Sequence, residues 1–224
     1  IIDSGSDFVT LEDIIPDGHM GFVGTLRVNV RYQLAQSNLK IDITATSDAA
    51  SLCNFTNHSY FNLDGRPQID LHRLQVLSKR YLPVDETGIP SQAPTPVAGS
   101  KYDFSNFSAL GENGTFAKID HNYCLNDRRR PITTVARLST DALDMEMAST
   151  EPGVHIYTGS GLSDPSAKGH AGYPYRAFAG IALEAQTWPD APNRPEYPSP
   201  WLLPGDVYHH ATVYHFARRQ ARSS

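Results

Sequence analysis

Apolar and polar residues alternate with a period of two along much of the chain. Leu26, Val28, Val30, Tyr32 and Leu34 alternate with Arg27, Asn29, Arg31 and Gln33. After the polar stretch 35–38, Leu39, Ile41, Ile43 and Ala45 alternate with Lys40, Asp42, Thr44 and Thr46. Successive side chains of a strand point to opposite faces, so this pattern predicts an antiparallel hairpin with one face in a core. The same reading predicts strands over 8–15, 120–125, 154–157 and 207–216, a hairpin of 133–138 with 143–147, and strand pieces within 70–82. The first residues, from Ile1, also read as strand. Proline- and glycine-rich stretches at 83–99, 160–175 and 189–204 read as loops, since proline cannot donate to a ladder and glycine favours turns. No helical period persists beyond about two turns. The predicted class is all-β, a sandwich or barrel, with residues 1–224 as one domain.

Two stretches do not look like plain core strands. In Asn54-Phe55-Thr56-Asn57-His58-Ser59-Tyr60-Phe61-Asn62-Leu63-Asp64, an extended reading puts Asn54, Thr56, His58 and Tyr60 on one face. Amide, hydroxyl, imidazole and phenol groups together suit a ligand rich in hydroxyls, because each buried donor or acceptor needs a partner. A sugar is the first candidate. In Gly180-Ile181-Ala182-Leu183-Glu184-Ala185-Gln186-Thr187-Trp188-Pro189-Asp190, Ile181 and Leu183 face one way, and Gly180, Ala182 and Glu184 the other. Small residues beside a carboxylate leave room for a ligand, with Glu184 as a general base and Trp188 as a stacking surface. Taken alone, His58 reads first as part of a polar strand face that meets water, and Glu184 is compatible with an edge-strand carboxylate in water.

Charge and composition narrow the function. The formal net charge is −5, and basic residues are scattered apart from Arg128-Arg129-Arg130 and the tail Arg218-Arg219-Gln220-Ala221-Arg222. Nucleic acid is therefore not an expected partner. No apolar run approaches the roughly 20 residues of a membrane-spanning helix, and no membrane association is expected. Cys53 and Cys124 form neither a disulfide framework nor a CxxC pair, and read as buried thiols. Nine histidines are present, but no HExxH occurs and no spacing converges on an ion, so no metal is expected. The serine-hydrolase elbow G-x-S-x-G is absent from the sequence. Glycosylation sequons begin at Asn54, Asn57, Asn106 and Asn113, and a glycan at either of the first two would block the candidate site. With no signal peptide visible at the start, a cytoplasmic location is expected.

An imidazole and a carboxylate suit the interconversion of sugar anomers. A base takes the proton of the C1 hydroxyl while an acid protonates the ring oxygen. The ring opens, C1 rotates, and both transfers reverse. This chemistry requires no cofactor.

The sequence resembles the aldose 1-epimerase, or galactose mutarotase, family. Residues 57–63 (NHSYFNL) resemble its catalytic-acid motif and residues 183–190 (LEAQTWPD) its catalytic-base motif. Residues 82–90, Asp120-His121-Asn122 and residues 153–159 fall, in order, where the family has similar segments. The resemblance implies a large antiparallel β-sandwich and a free aldohexose, glucose or galactose, as substrate. It implies His58 as the acid on the ring oxygen and Glu184 as the base on the C1 hydroxyl. Asp120 is similar to the family's carboxylate that hydrogen-bonds sugar hydroxyls, Tyr60 lies in its binding stretch, and His155 stands at a substrate-binding position where relatives carry Gln. Family members are longer, and their N-terminal part supplies a further histidine with a neighbouring Arg or Asn. The expectation is a sandwich incomplete at its N-terminus, completed by a preceding segment or a second chain. The alternatives are a hexose-phosphate epimerase of the same fold, a non-catalytic carbohydrate-binding module, and a glycosidase using Asp120 with Glu184.

Overall fold

The structure, a computed structural model, describes residues 1–219; the end of the basic tail, Gln220-Ala221-Arg222, lies outside the described residues. The hairpin read from the alternation forms with Leu26–Ala35 antiparallel to Asn38–Ser47, in register from Leu26 opposite Ser47 to Ala35 opposite Asn38. It sits within a nine-stranded antiparallel sheet. That sheet runs, in spatial order, through Asp3–Ser4, Phe8–Ile15, Leu26–Ala35, Asn38–Ser47, Tyr208–Arg218, Leu143–Ser149, Thr133–Ser139, Arg73–Val76 and Ser108–Ala109. A second, six-stranded sheet runs Tyr60–Phe61, Ile181–Gln186, Gly153–Tyr157, Asp120–Cys124, Arg80–Tyr81 and Thr95–Pro96.

The apolar faces of the two sheets meet in one core. Ile41, Ile43, Leu74, Leu138, Met145 and Met147 come from the large sheet, and Tyr123, Val154, Ile156, Ile181 and Leu183 from the small one, all buried. Each such side chain contributes about 1.5–3 kcal/mol relative to exposure. Tyr214 spans the interface: its ring lies 4.9 Å from that of Phe61, and its hydroxyl donates to the Leu183 carbonyl at 3.2 Å. The architecture is the antiparallel β-sandwich expected from the pattern.

The opposite face of the small sheet is divided. At one end the proline-rich segment 189–204 folds over it, and Trp188, Ala191 and Tyr197 form a second buried cluster with Leu82 and Cys124. Asp120, His155 and Glu184 share that face at the other end. The covering loop thereby confines the open face to one place.

The strand pattern misleads in several places, and the stretches 83–99 and 189–204, expected as loops, hold the short strands Thr95–Pro96 and Trp201–Leu202. Residues 54–59 form no strand, and only Tyr60–Phe61 joins the sheet, as its edge. At the start, strand is limited to Asp3–Ser4, and Ile1 is 84 % exposed. The stretch 160–175, expected as loop, contains a small antiparallel pair, Asp164–Lys168 with Pro174–Tyr175. Because Asp164–Lys168 is largely exposed, it carries no hydrophobic alternation to reveal it.

Candidate active site

The site is a consequence of strand register. Along Ile181–Gln186, Ile181, Leu183 and Ala185 enter the core, which turns Ala182, Glu184 and Gln186 to the other face. Ala182 is paired with Tyr60 on one side and Tyr157 on the other, and Tyr157 with Asp120. This sets a row Tyr60, Ala182, Tyr157, Asp120 across four strands, a span of about 14 Å at about 4.8 Å per strand. The small alanine lets the two tyrosine rings approach edge-to-face with centroids 6.2 Å apart. The next row contains Glu184, His155 and the buried Asn122. His58 reaches over this row from the edge, with Nε2 3.4 Å from Glu184 Oε1, and its ring lies 5.1 Å from that of Tyr60.

The five residues singled out by sequence, His58, Tyr60, Asp120, His155 and Glu184, thus share one face. Tyr157 was not among them, although the alternation that selects His155 selects it too. Trp188, expected as a stacking surface, is instead 3 % exposed, and its indole N–H donates to the Pro152 carbonyl at 2.9 Å. It belongs to the cluster under the proline-rich loop and cannot meet a ligand on the open face.

The amides of the 54–64 stretch also depart from expectation, because several bind the protein's own backbone. Asn54 accepts from the Thr187 N–H at 2.8 Å and donates to the Thr187 carbonyl at 3.1 Å, reproducing a rung of sheet pairing with a side chain. Asn57 accepts from the Ser59 N–H, and Asn62 donates to the carbonyls of Arg66 and Ala179. At the far end, the Leu63 N–H donates to Nε2 of the buried His72 at 2.8 Å. These bonds replace the missing ladder and satisfy groups that would otherwise be left unpaired.

The two carboxylates are tuned in opposite directions. Burial raises the Glu184 carboxyl above its ordinary value, with His58 and His155 opposing the shift. Its side chain is only 10 % exposed, against 52 % for His58. Asp120 is held below the ordinary range, first by its 2.8 Å hydrogen bond with His155 Nε2. A carboxylate raised toward neutrality is the better proton acceptor at neutral pH, and one held low stays ionised as a hydrogen-bond acceptor. Burial also raises the Tyr60 phenol, assisted by Tyr157, Glu184 and Asp120, which keeps it protonated. An imidazole and a raised carboxyl in contact can exchange protons with two oxygens carried by one carbon, where a glycosidase's carboxyls stand roughly 5–9.5 Å apart.

Known proteins match the chain along nearly all of its length. The aldose 1-epimerase family model matches residues 2–215. Galactose mutarotase of Rattus norvegicus is 37 % identical over 218 residues, covering 95 % of this chain and 64 % of the relative. Aldose 1-epimerase of Escherichia coli K12 is 36 % identical over 213 residues, covering 89 % and 61 %. The chain therefore spans just under two-thirds of the length of these relatives. Among solved structures, an aldose epimerase homologue from C. elegans superposes with TM-score 0.89 at 26 % identity, covering 98 % of this chain and 68 % of the other. Galactose 1-epimerase from Lactobacillus acidophilus gives 0.79 at 25 % identity, covering 97 % and 65 %.

Proposed function

The chain belongs to the aldose 1-epimerase family, and from that premise we propose that it interconverts the α and β anomers of a free aldohexose. Glu184 takes the proton of the anomeric hydroxyl, and protonated His58 gives one to the ring oxygen. The C1–O5 bond breaks to the open aldehyde. After rotation about C1–C2, His58 takes a proton back and Glu184 returns one, so the protein ends as it began. Asp120 and His155 hold sugar hydroxyls, and Tyr60 and Tyr157 line the floor against the ring. The observation that carries this reading is the 3.4 Å contact between an exposed imidazole and a carboxylate raised by burial.

The hexose-phosphate alternative needs free cations at the open face. Arg129, the centre of the basic triplet, is instead committed to the buried Glu151. Polarimetry of freshly dissolved α-glucose and α-galactose tests the proposal: the protein should accelerate the approach to equilibrium without moving the final rotation. A rate equal to that of buffer for both sugars, with acceleration of hexose 6-phosphates instead, would transfer the assignment to the alternative. Release of reducing sugar from a glycoside would assign it to hydrolysis.

A further inference from the structure

The acid and the base are supported differently, and the difference points to residues outside the open face. Glu184 lies in a strand laddered to Gly153–Tyr157 over residues 182–186 and to Tyr60–Phe61 over Ile181 and Ala182. His58 lies in a segment that has no ladder between Asn54 and Ser59. What holds that segment is a closed circuit of side-chain bonds beneath it. The Asn54 amide is clipped to both backbone groups of Thr187, the residue after the Glu184 strand. One residue on, the Phe55 carbonyl accepts from the Tyr208 hydroxyl at 3.3 Å and from His210 Nδ1 at 3.1 Å. The Tyr208 ring in turn carries the Arg129 guanidinium, 4.5 Å from its centroid. Arg129 closes the circuit by donating to Thr187 Oγ1 at 3.3 Å. It also forms a two-point ion pair with Glu151 at 2.7 and 3.1 Å, and Glu151 is fully buried.

We infer that this circuit, from Thr187 through Asn54, Phe55 and Tyr208 to Arg129 and back, sets His58 in contact with Glu184, so that Asn54, Tyr208 and Arg129 are positioning residues of the reaction. The inference rests on the proposed function for its kinetic test. None of the three lies in the rows that hold Glu184 and Asp120, and each acts through the backbone that carries His58. Arg129 is held in place by Glu151, because a buried carboxylate without its partner is strongly unfavourable and a bidentate pair fixes the guanidinium plane. A displacement of about 1 Å in a reacting group can lower a rate by about a hundredfold, so a positioning bond has a measurable kinetic effect.

The experiment is a mutant cycle on the intact protein. Asn54 is exposed, so Asn54→Ala removes the clip with little loss of packing. It should lower kcat for mutarotation about tenfold or more with KM within about twofold, and Asn54→Asp, which keeps the acceptor for the Thr187 N–H, should recover part of the loss. In a His58→Ala background, Asn54→Ala should have no further effect, because the residue it positions is gone. The same fold loss in both backgrounds, or unchanged kcat in Asn54→Ala, overturns the inference. Tyr208→Phe, which removes one hydroxyl, provides the same cycle if the asparagine variant fails to fold. A crystal structure of either variant gives a readout independent of activity: the His58–Glu184 separation, 3.4 Å here, should lengthen beyond contact. An unchanged separation refutes the circuit even if the wild-type protein acts on no aldose, whereas an inactive wild type with a lengthened separation refutes only the proposed reaction.

Discussion

The strand Ile181–Gln186 and the segment 54–64 each bring one proposed reacting group to the same place by opposite means. The strand is buried along nearly its whole length and is laddered to Gly153–Tyr157 over residues 182–186, so the position of Glu184 is fixed by backbone register and by the core beneath it. A one-residue slip would put Glu184 into that core, which makes the register strongly determined. The segment carries its histidine on an edge, half exposed, and holds its path by amide, imidazole and phenol contacts. The lesson is that a base whose strength depends on desolvation needs a rigid, dry support. An acid that must meet solvent between turnovers can be mounted on a segment held by a few specific bonds.

Removing the reacting groups should give the largest effects. Glu184→Ala and His58→Ala should each slow mutarotation by about a hundredfold or more, the usual scale for a general base or acid. The two should differ in rescue. Free imidazole should restore part of the rate to His58→Ala, whose site is open, while formate should do little for Glu184→Ala, whose carboxylate is 10 % exposed. Equal rescue of both would remove the contrast in solvent access.

Next in size is the support itself. Leu183→Ala, in a strand position with no exposure, should destabilise the fold by about 2–5 kcal/mol, read from urea unfolding. Thr56→Ala in the unladdered segment should be much milder, below about 2 kcal/mol, since it deletes no core side chain. Comparable losses would mean that the segment is as deeply integrated as the strand.

Asp120→Asn should act more on KM than on kcat. A hydrogen-bonding group that contacts ground and transition states alike contributes uniform binding. If kcat fell as far as in Glu184→Ala with KM unchanged, Asp120 would join the chemistry.

Acid should produce the most gradual change. His72, His121 and His210 all have pKa values lowered by burial, His121 to about 4, so they are neutral in the folded protein at neutral pH. Unfolded imidazoles take up a proton near pH 6.5, so this stabilisation is complete above about 6.5 and is lost as pH falls, for His121 down to about 4. Glu184, raised by burial, has the opposite sign and gains stability as pH falls. With three groups against one, the urea midpoint should be lower at pH 5 than at pH 7.5. The contrast between the segments enters here too: His72 accepts from the Leu63 N–H and His210 donates to Phe55, so both ends of the His58 segment rest on imidazoles that acid would charge. A midpoint unchanged or raised at pH 5 would contradict this.

Much of this was legible in the sequence. Period-two alternation located the central hairpin, the face of Glu184 and the terminal strand, because those strands have one face in the core and one outside it. The separate sides of His209 and His210 follow from the same rule, and His210 is 2 % exposed. What alternation could not show is whether an extended stretch finds a ladder partner. For residues 54–59 it does not, and asparagines that look like sugar ligands serve the backbone instead. Nor does a tryptophan near a candidate carboxylate reveal that the loop after it will fold over it. In both cases the outcome depends on contacts remote in sequence, with Thr187, Tyr208 and His210 for the segment and with Leu82, Cys124 and Pro152 for the tryptophan.

That remoteness has a temporal consequence. Asn54 and Thr187 lie 133 positions apart, and Phe55 and His210 lie 155 apart. During synthesis the histidine emerges long before the glutamate, and the tether to Tyr208 and His210 is made only when the strand Tyr208–Arg218 has left the ribosome. Contacts of such long range form late in folding, since the loop they close must first be ordered. In refolding from denaturant, sheet content should therefore return before turnover. The interval between the two is the time the chain takes to bring His58 to Glu184.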